Sequence, residues 1–479
     1  MRLDPAVRGV TVSDSKKSPI LSVSMMRRVL LQLRLRLPWI PSPAPDPTPA
    51  DLDRERLRIQ IDVIRRAFRE SGDVAAGDNG RPPRRPKDDG DAAFLFRPGH
   101  ALVADDRFDE LDRFFGDRQH TYEGTIGRAR DSVGGLALVT LPARRDDDDV
   151  VLATLDDIDD TLGRGVATPD HVLYVTLWGR ACPATEPEEP RATDPFPPLS
   201  PDTAAGRGIN VSVVDTGWWK AAGDPGSATP WLSGVVADPS DEEIVNQAAI
   251  HEYAGHGTFV SGVVRCMAPG SRVEVEGFLT QGGAIYESDI FKQLNQALTD
   301  GDRPHVISIS AGTHTRWSIP LLSFELLARI HQFDDPERPI LVVAAAGNDS
   351  SDEEFYPAAF DWVVGVGSVD ADGKRSDFSN YGDWVNIYAR GRDLVNAFPN
   401  GTYSCHYPEN IDKVSGPDIR HFKGIARWSG TSFSTPIVSG LIAAHMTATG
   451  NKVDARAAYA DLTKNPQTGP GGEPIIGPL

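Results

Sequence analysis

From Gly208 onward, short apolar runs alternate with stretches whose apolar positions recur every three or four residues. Ile209–Val214, Arg272–Phe278, Val306–Ser310, Ile340–Ala345 and Val363–Val366 read as buried strands. Glu287–Leu298 and Leu321–His331 fall between them with helical spacing. This alternation predicts an α/β fold with a doubly wound parallel sheet covered on both faces. In such sheets, active sites gather at the carboxyl ends of the strands.

The pattern before Gly208 is different. Leu57, Ile59, Ile61, Val63, Ile64 and Phe68 mark a helix within Asp51–Glu70, and a Gly/Pro/Asp-rich linker follows to Gly90. Ala93–Val103, Gly135–Leu141 and His171–Leu177 read as strands, with helices at Arg107–Phe115 and Val150–Leu162. That order predicts a small α+β domain over residues 91–180, of ferredoxin-like kind. Residues 181–204 form a Pro-rich acidic linker, with seven prolines and four acidic residues in Cys182–Pro201. The peptide then runs as one domain over 205–465 and ends in a Gly/Pro-rich tail, 466–479. Residues 1–50 read as a disordered tail closing on PSPAPDPTPA.

Length and charge narrow the functions. The 479 residues suggest two or three domains. The net charge of −19 argues against a nucleic-acid partner. It is uneven: residues 1–50 hold 8 Lys and Arg against 3 Asp and Glu, whereas residues 201–479 hold 20 against 34. Cys182, Cys266 and Cys405 are too few for a disulfide framework and lack metal-ligand spacing. The best secretory candidate, Met25–Ile40, is interrupted by Arg34 and Arg36, and no run approaches the ~18 apolar residues of a membrane span. A cytoplasmic location is the expectation, with secretion as the alternative.

Four residues could carry chemistry. Asp215 follows an apolar strand directly, in INVSVVDTGWW. Asp-Thr-Gly also marks aspartic peptidases, but those need paired carboxylates and no second such loop is present. His256, in YAGHGTFVSGVV, opens an apolar helix between two glycines. A zinc reading through His251, Glu252 and His256 fails on spacing, since the histidines lie five apart and not four. Ser432, in WSGTSFSTPIVSGLIAA, opens another helix, where the positive end of the dipole favours developing negative charge. Asn348, in ILVVAAAGND, can donate to an oxyanion without changing charge. Taken singly, each has a bland alternative as a cap or turn residue.

The segments VVDTG, HGTFVSGVV, ISAGT, VVAAAGN and GTSFSTPIVSG, in that order, resemble the signature segments of the subtilisin-like serine peptidases. The resemblance covers residues 205–465. It implies a triad of Asp215, His256 and Ser432, with Asn348 in the oxyanion hole. It implies that Ser310, Ala311 and Gly312 pair with extended substrate, faced by Gly282 and Gly283. Ala345, Ala346 and Gly347 would wall the primary specificity pocket. The family's usual Met after the serine is Phe433 here, and its calcium ligands cannot be placed, so no cofactor or metal is assigned. Residues 93–180 resemble its propeptide in position. The implied partner is a polypeptide substrate, with a regulatory partner unidentified. Asp349, in the acidic loop DSSDEEFYPA, is expected at the pocket rim, favouring Lys or Arg before the scissile bond. Self-cleavage is expected between Leu177 and Asp202. An endopeptidase is the leading function, and a peptide ligase or an inactive binding module on the same scaffold are the alternatives.

Overall fold

Apolar runs long enough to be covered on both faces build the larger of two layers. Its strands are β6 (Asn210–Asp215), β7 (Val235–Ala237), β8 (Arg272–Gly277), β10 (Val306–Ile309), β11 (Leu341–Ala345), β12 (Val363–Val369), β13 (Ile387–Arg390), β16 (Gln467–Thr468) and β17 (Pro474–Ile475). They pair in the order β16-β17-β13-β12-β11-β10-β6-β8-β7, parallel throughout except for β16 on β17. Crossovers cover both faces. On one lie α4 (His256–Met267) and α7 (Thr431–Thr449), over a core that includes Val213, Phe259, Phe433 and Ile437. On the other lie α5 (Glu287–Asp300) and α6 (Leu322–His331), over Ile290, Phe291, Phe324 and Leu327. The chain is described here by a computed structural model, over residues 47–69, 72–80, 84–129, 134–145, 150–175, 184–280, 282–300, 303–333 and 340–479. Pro49–Leu479 form one compact unit. Most of the expected basic tail, with Met25–Ile40 in it, and Cys182 lie outside the described residues.

Helix α7 is apolar on every side, which suits burial between α4 and the sheet. A Cβ on Gly440 would stand 2.6 Å from Met267 Cβ and 2.9 Å from Val264 O, so glycine sets how closely α7 approaches α4. Pro436 lies within the helix and not at its first position. Lacking an N–H, it cannot bond to the carbonyl four residues back. That carbonyl belongs to Ser432, and Ser310 Oγ donates to it at 2.9 Å.

The smaller layer contains β1 (Ala75–Gly77), β2 (Phe94–Ala104), α2 (Phe108–Gly116), β3 (Gly127–Arg128), β4 (Leu136–Thr140), α3 (Val150–Leu162) and β5 (Ala167–Tyr174). Its antiparallel strands run β5-β2-β4-β3, with β1 on β2, which is the spatial order of a split β-α-β unit. Pro98 and Gly99 fall at an irregularity where β2 changes register against β5 between Phe96 and Ala101, so one strand spans both. One face packs on α2 and α3 through Phe94, Phe96, Leu111 and Leu155. The other sends Leu102, Leu136 and Leu173 into the core over α5 and α6. Strand β9 (Ala284–Tyr286), from the larger layer, completes the small sheet by pairing antiparallel with β5.

Three expectations change. The strand expected at His171–Leu177 starts earlier, at Ala167, because Ala167–Pro169 pair with β2; residues beyond Val175 lie outside the described set until Ala184. The segment read as a linker is pinned to the larger layer from Ala184 to Glu189. The expected tail contributes β16 and β17, with Ile475 buried.

Candidate active site

Asp215 ends β6, and α4 begins at His256. Both side chains are fully buried, and His256 Nδ1 lies 2.6 Å from Asp215 Oδ1. That oxygen also accepts the Thr216 N–H at 2.8 Å. A ring that donates through Nδ1 presents Nε2 as an acceptor. Among the described residues, neither His256 Nε2 nor Asp215 Oδ2 has a hydrogen-bond partner. The approach of helix to strand end requires glycine at position 257, where a Cβ would meet Gly217 O at 2.4 Å. Gly255 caps α4 in the left-handed region, φ 78°, and Glu243 Oε2 accepts its N–H at 2.7 Å. Burial pushes the Glu243 carboxyl up to about 8. The imidazole lies against Trp428 and Phe433, at ring-centroid distances of 5.6 and 5.3 Å.

Ser432 is the second residue of α7, with its hydroxyl donating to Ser310 O at 3.3 Å. Transfer of that proton to His256 requires the hydroxyl to leave Ser310 O. Asn348 follows β11. Its Oδ1 accepts the Thr431 N–H at 2.8 Å, which fixes the amide, and its buried Nδ2 has no partner among the described residues. A buried, unpaired donor costs about 1–3 kcal/mol. Ser432 and Asn348 line a cavity with Ser310, Ala311, Gly312, Ala345, Gly347, Phe355 and Thr431. Ser432, Asn348 and residues of both predicted substrate-binding segments thus line one cavity, and His256 lies against Phe433, the residue after Ser432. Ala346 and Asp349 are not in the lining.

Asp349 is buried below the walls, not solvated at a rim. Its Oδ2 meets His314 Nε2 and Asn380 Nδ2, each at 3.2 Å, and burial raises its pKa. The acidic loop around it gave the sequence reading no sign of this burial, and neither His314 nor Asn380 stood out. His251 is half exposed and turns Nδ1 to Glu252 O. Among the described residues, no group of three His, Cys, Asp or Glu is placed to hold a metal ion. Cys266 and Cys405 are buried free thiols, each pushed up to about 12 by burial.

The chain's own backbone lies on both sides of Ser432. At the end of β5, the N–H and carbonyl of Tyr174 bond to the carbonyl and N–H of Gly312 at 3.1 and 3.0 Å, and Val175 N–H bonds to Gly283 O at 2.8 Å. Beyond Ser432, Ala184 N–H bonds to Ser429 O at 2.7 Å. Glu188 and Arg427 exchange two backbone bonds of 2.8 Å, and their side chains pair as well. Arg427 belongs to β15 (Ile425–Trp428), which leads into Ser432. Buried Glu186 holds this segment by accepting from Tyr403 Oη, the N–H groups of His406 and Tyr407, and Asn410 Nδ2. Of the stretch Leu177–Asp202 expected to hold the self-cleavage site, residues 177–183 lie outside the described residues.

Comparison with known proteins adds the following. The profile of the Subtilase family (Peptidase_S8) matches residues 206–466. The thermophilic serine proteinase of Bacillus sp. (strain AK1) is 27% identical over 53% of this chain and 56% of its own length. The intracellular serine protease of Paenibacillus polymyxa is 27% identical, over 50% of this chain and 66% of its own. The match thus spans less than two thirds of either relative. Subtilisin Savinase of Lederbergia lenta is 28% identical over 50% and 76%. Among solved structures, the prenylagaramide maturation protease PagA aligns at 25% identity with a TM-score of 0.41, over 55% of this chain and 86% of that one.

Proposed function

The chain belongs to the subtilase family, and from that premise we propose that it is a serine endopeptidase whose triad is Asp215, His256 and Ser432. One observation carries this reading. An unpartnered imidazole nitrogen, on His256, lies beside the helix start through Phe433, and an unpartnered amide donor, on Asn348, lines one cavity with Ser432; both are buried. Buried polar groups with a purely structural role are paired in the large majority of cases.

The steps follow from those groups. His256 Nε2 takes the proton of Ser432 Oγ as the oxygen attacks the substrate carbonyl carbon. Asp215 holds the imidazole by Nδ1 and stabilises the imidazolium. The carbonyl oxygen becomes an oxyanion, bonded by Asn348 Nδ2 and the Ser432 N–H. When the carbon–nitrogen bond breaks, His256 returns the proton to the leaving amine. Water, deprotonated in its turn by His256, then releases the acid from the acyl-enzyme.

The substrate class is an extended polypeptide, which pairs with Gly312 on one side and Gly283 on the other. The chain's own β5 makes those bonds, so the small layer acts as a built-in occupant of the cleft, and the first bond cut lies between Val175 and Ala184. The test is a fluorophosphonate probe on the purified full chain and on Ser432→Ala, with intact masses taken over time. The expected result is one label, on Ser432, and a new N-terminus between residues 177 and 184 in the wild type alone. Neither label nor hydrolysis in the wild type would overturn the reading. A peptide ligase differs by product mass.

A further inference from the structure

We propose that Phe355 is the specificity-determining residue of this cleft and restricts the position before the scissile bond to small side chains. This rests on the peptidase reading above.

Two segments, the predicted edge strand Ser310–Gly312 and the predicted pocket wall Ala345–Gly347, form the walls here, and the Phe355 ring meets both. A Cβ built on Gly312 would stand 2.3 Å from Phe355 Cε1, and one built on Gly347 would stand 3.2 Å from Phe355 Cγ. The ring therefore lies against each wall at the glycine that ends it. These are the positions where any larger residue would collide with the ring. Phe355 lines the same cavity as Ser432 and Asn348.

The ring is fixed there. The backbone of the next residue, Tyr356, exchanges hydrogen bonds with Thr313 at 2.8 and 2.9 Å, which ties it to the edge strand. His314 packs edge-on against the ring, with centroids 5.2 Å apart. His314 is itself held through Nδ1 by Glu354 O at 3.1 Å and through Nε2 by Asp349 at 3.2 Å. Asn380 holds Asp349 in turn, and its Nδ2 also donates to Ala346 O at 2.9 Å, on the second wall. The buried carboxylate is thus part of the support behind the wedge and is not free to pair with a basic substrate side chain.

With Tyr174 and Val175 in place, only about 210 Å³ of space is left between these residues, part of it open to solvent. Tyr174 and Val175 contribute to that lining and leave when the small layer leaves. Phe355 stays. A Phe, Leu or Lys side chain entering between the walls meets the ring, whereas Ala or Ser does not.

The test uses the full chain, incubated until the fraction labelled by a fluorophosphonate is constant, and peptides differing only in Gly, Ala, Ser, Leu, Phe or Lys before the scissile bond. One misfitting methylene in an apolar pocket is worth ~10–200-fold in kcat/KM, so Ala or Ser should exceed Leu, Phe and Lys by ~100-fold or more. Phe355→Ala should raise the Leu and Phe peptides by ~10–100-fold relative to the Ala peptide. Phe355→Leu is the second variant, because it keeps more of the packing; it should give a smaller gain in the same direction, and the labelled fraction reports whether each variant folds. The proposal is overturned if the wild type cuts Phe or Lys peptides as fast as Ala, or if both labelled variants keep the wild-type ratios. Absence of both labelling and cleavage in the wild type overturns the peptidase reading instead.

Discussion

Two regions of this molecule are each built around a buried histidine–carboxylate pair, yet they do different things. Beside Ser432, His256 meets Asp215 at 2.6 Å; in the seam between the layers, His171 meets Glu287 at 2.9 Å, and all four side chains are fully buried. In the seam both members of the pair are saturated. His171 Nε2 accepts the Arg316 N–H at 3.3 Å and Glu287 Oε1 accepts the Ser323 N–H at 3.0 Å. The guanidinium of Arg316, itself fully buried, pairs with Asp156 and Asp159 of α3. Around Ser432, Nε2 and Oδ2 are left open. The same chemical pair is fully bonded in the seam and keeps two open acceptor atoms beside Ser432.

That contrast breaks most sharply at the serine. Ser432→Ala should lower kcat by ~10⁶-fold while the melting temperature barely moves, since only a hydroxyl is lost. Asp215→Asn should cost ~10⁴-fold by favouring the wrong imidazole tautomer. Asn348→Ala should cost ~10²–10³-fold in kcat. The seam should answer in the other currency of measurement, stability. Glu287→Ala leaves His171 without its partner and should destabilise by ~3–5 kcal/mol in denaturant titration, with kcat of the processed enzyme unchanged. A seam variant that lost turnover but kept its stability would erase the distinction between the two regions.

The smallest expected effect is a pH slope. In the seam, Asp170 accepts from the N–H and Oγ of Ser288 at 2.9 and 2.8 Å, with Arg97 3.4 Å away, and burial pushes its carboxyl up to about 7. Unfolded, it titrates near ~4. Between those values the folded chain holds a proton that the unfolded chain does not. Its contribution is therefore full below about pH 4 and lost as pH rises through 7. Glu243, pushed to about 8, acts in the same direction. The melting temperature should fall between pH 5 and 8, and Asp170→Asn should flatten that decline.

The difference between the regions also explains what was legible in the sequence. Asp215, His256, Asn348 and Ser432 each sit at one end of an apolar run, within two residues of a glycine, so a few nearby residues announce them. The parallel sheet was legible for a related reason, because strands buried on both faces leave continuous apolar runs. The seam has no such local mark. His171 and Glu287 stand 116 residues apart and Arg316 and Asp159 157 apart, and nothing beside either one hints at its partner. Asp349 misled because a charge in an acidic loop reads as solvated, whereas its burial depends on His314 and Asn380, which come from other segments. Phe355 was one apolar residue in that loop, and only the fold puts it between two walls.

The segment Ala184–Glu189 matters for time as well as for place. A cut within 176–183 leaves one new end moored at Gly312 and Gly283 and the other moored through Glu186. The freed amine is then a tethered reactant, present at an effective concentration of the order of mM and competing with water for the acyl-enzyme. Cleavage becomes irreversible only when the small layer departs. Until then the protein is two polypeptides in one particle, running as one species in gel filtration and as two under denaturing electrophoresis.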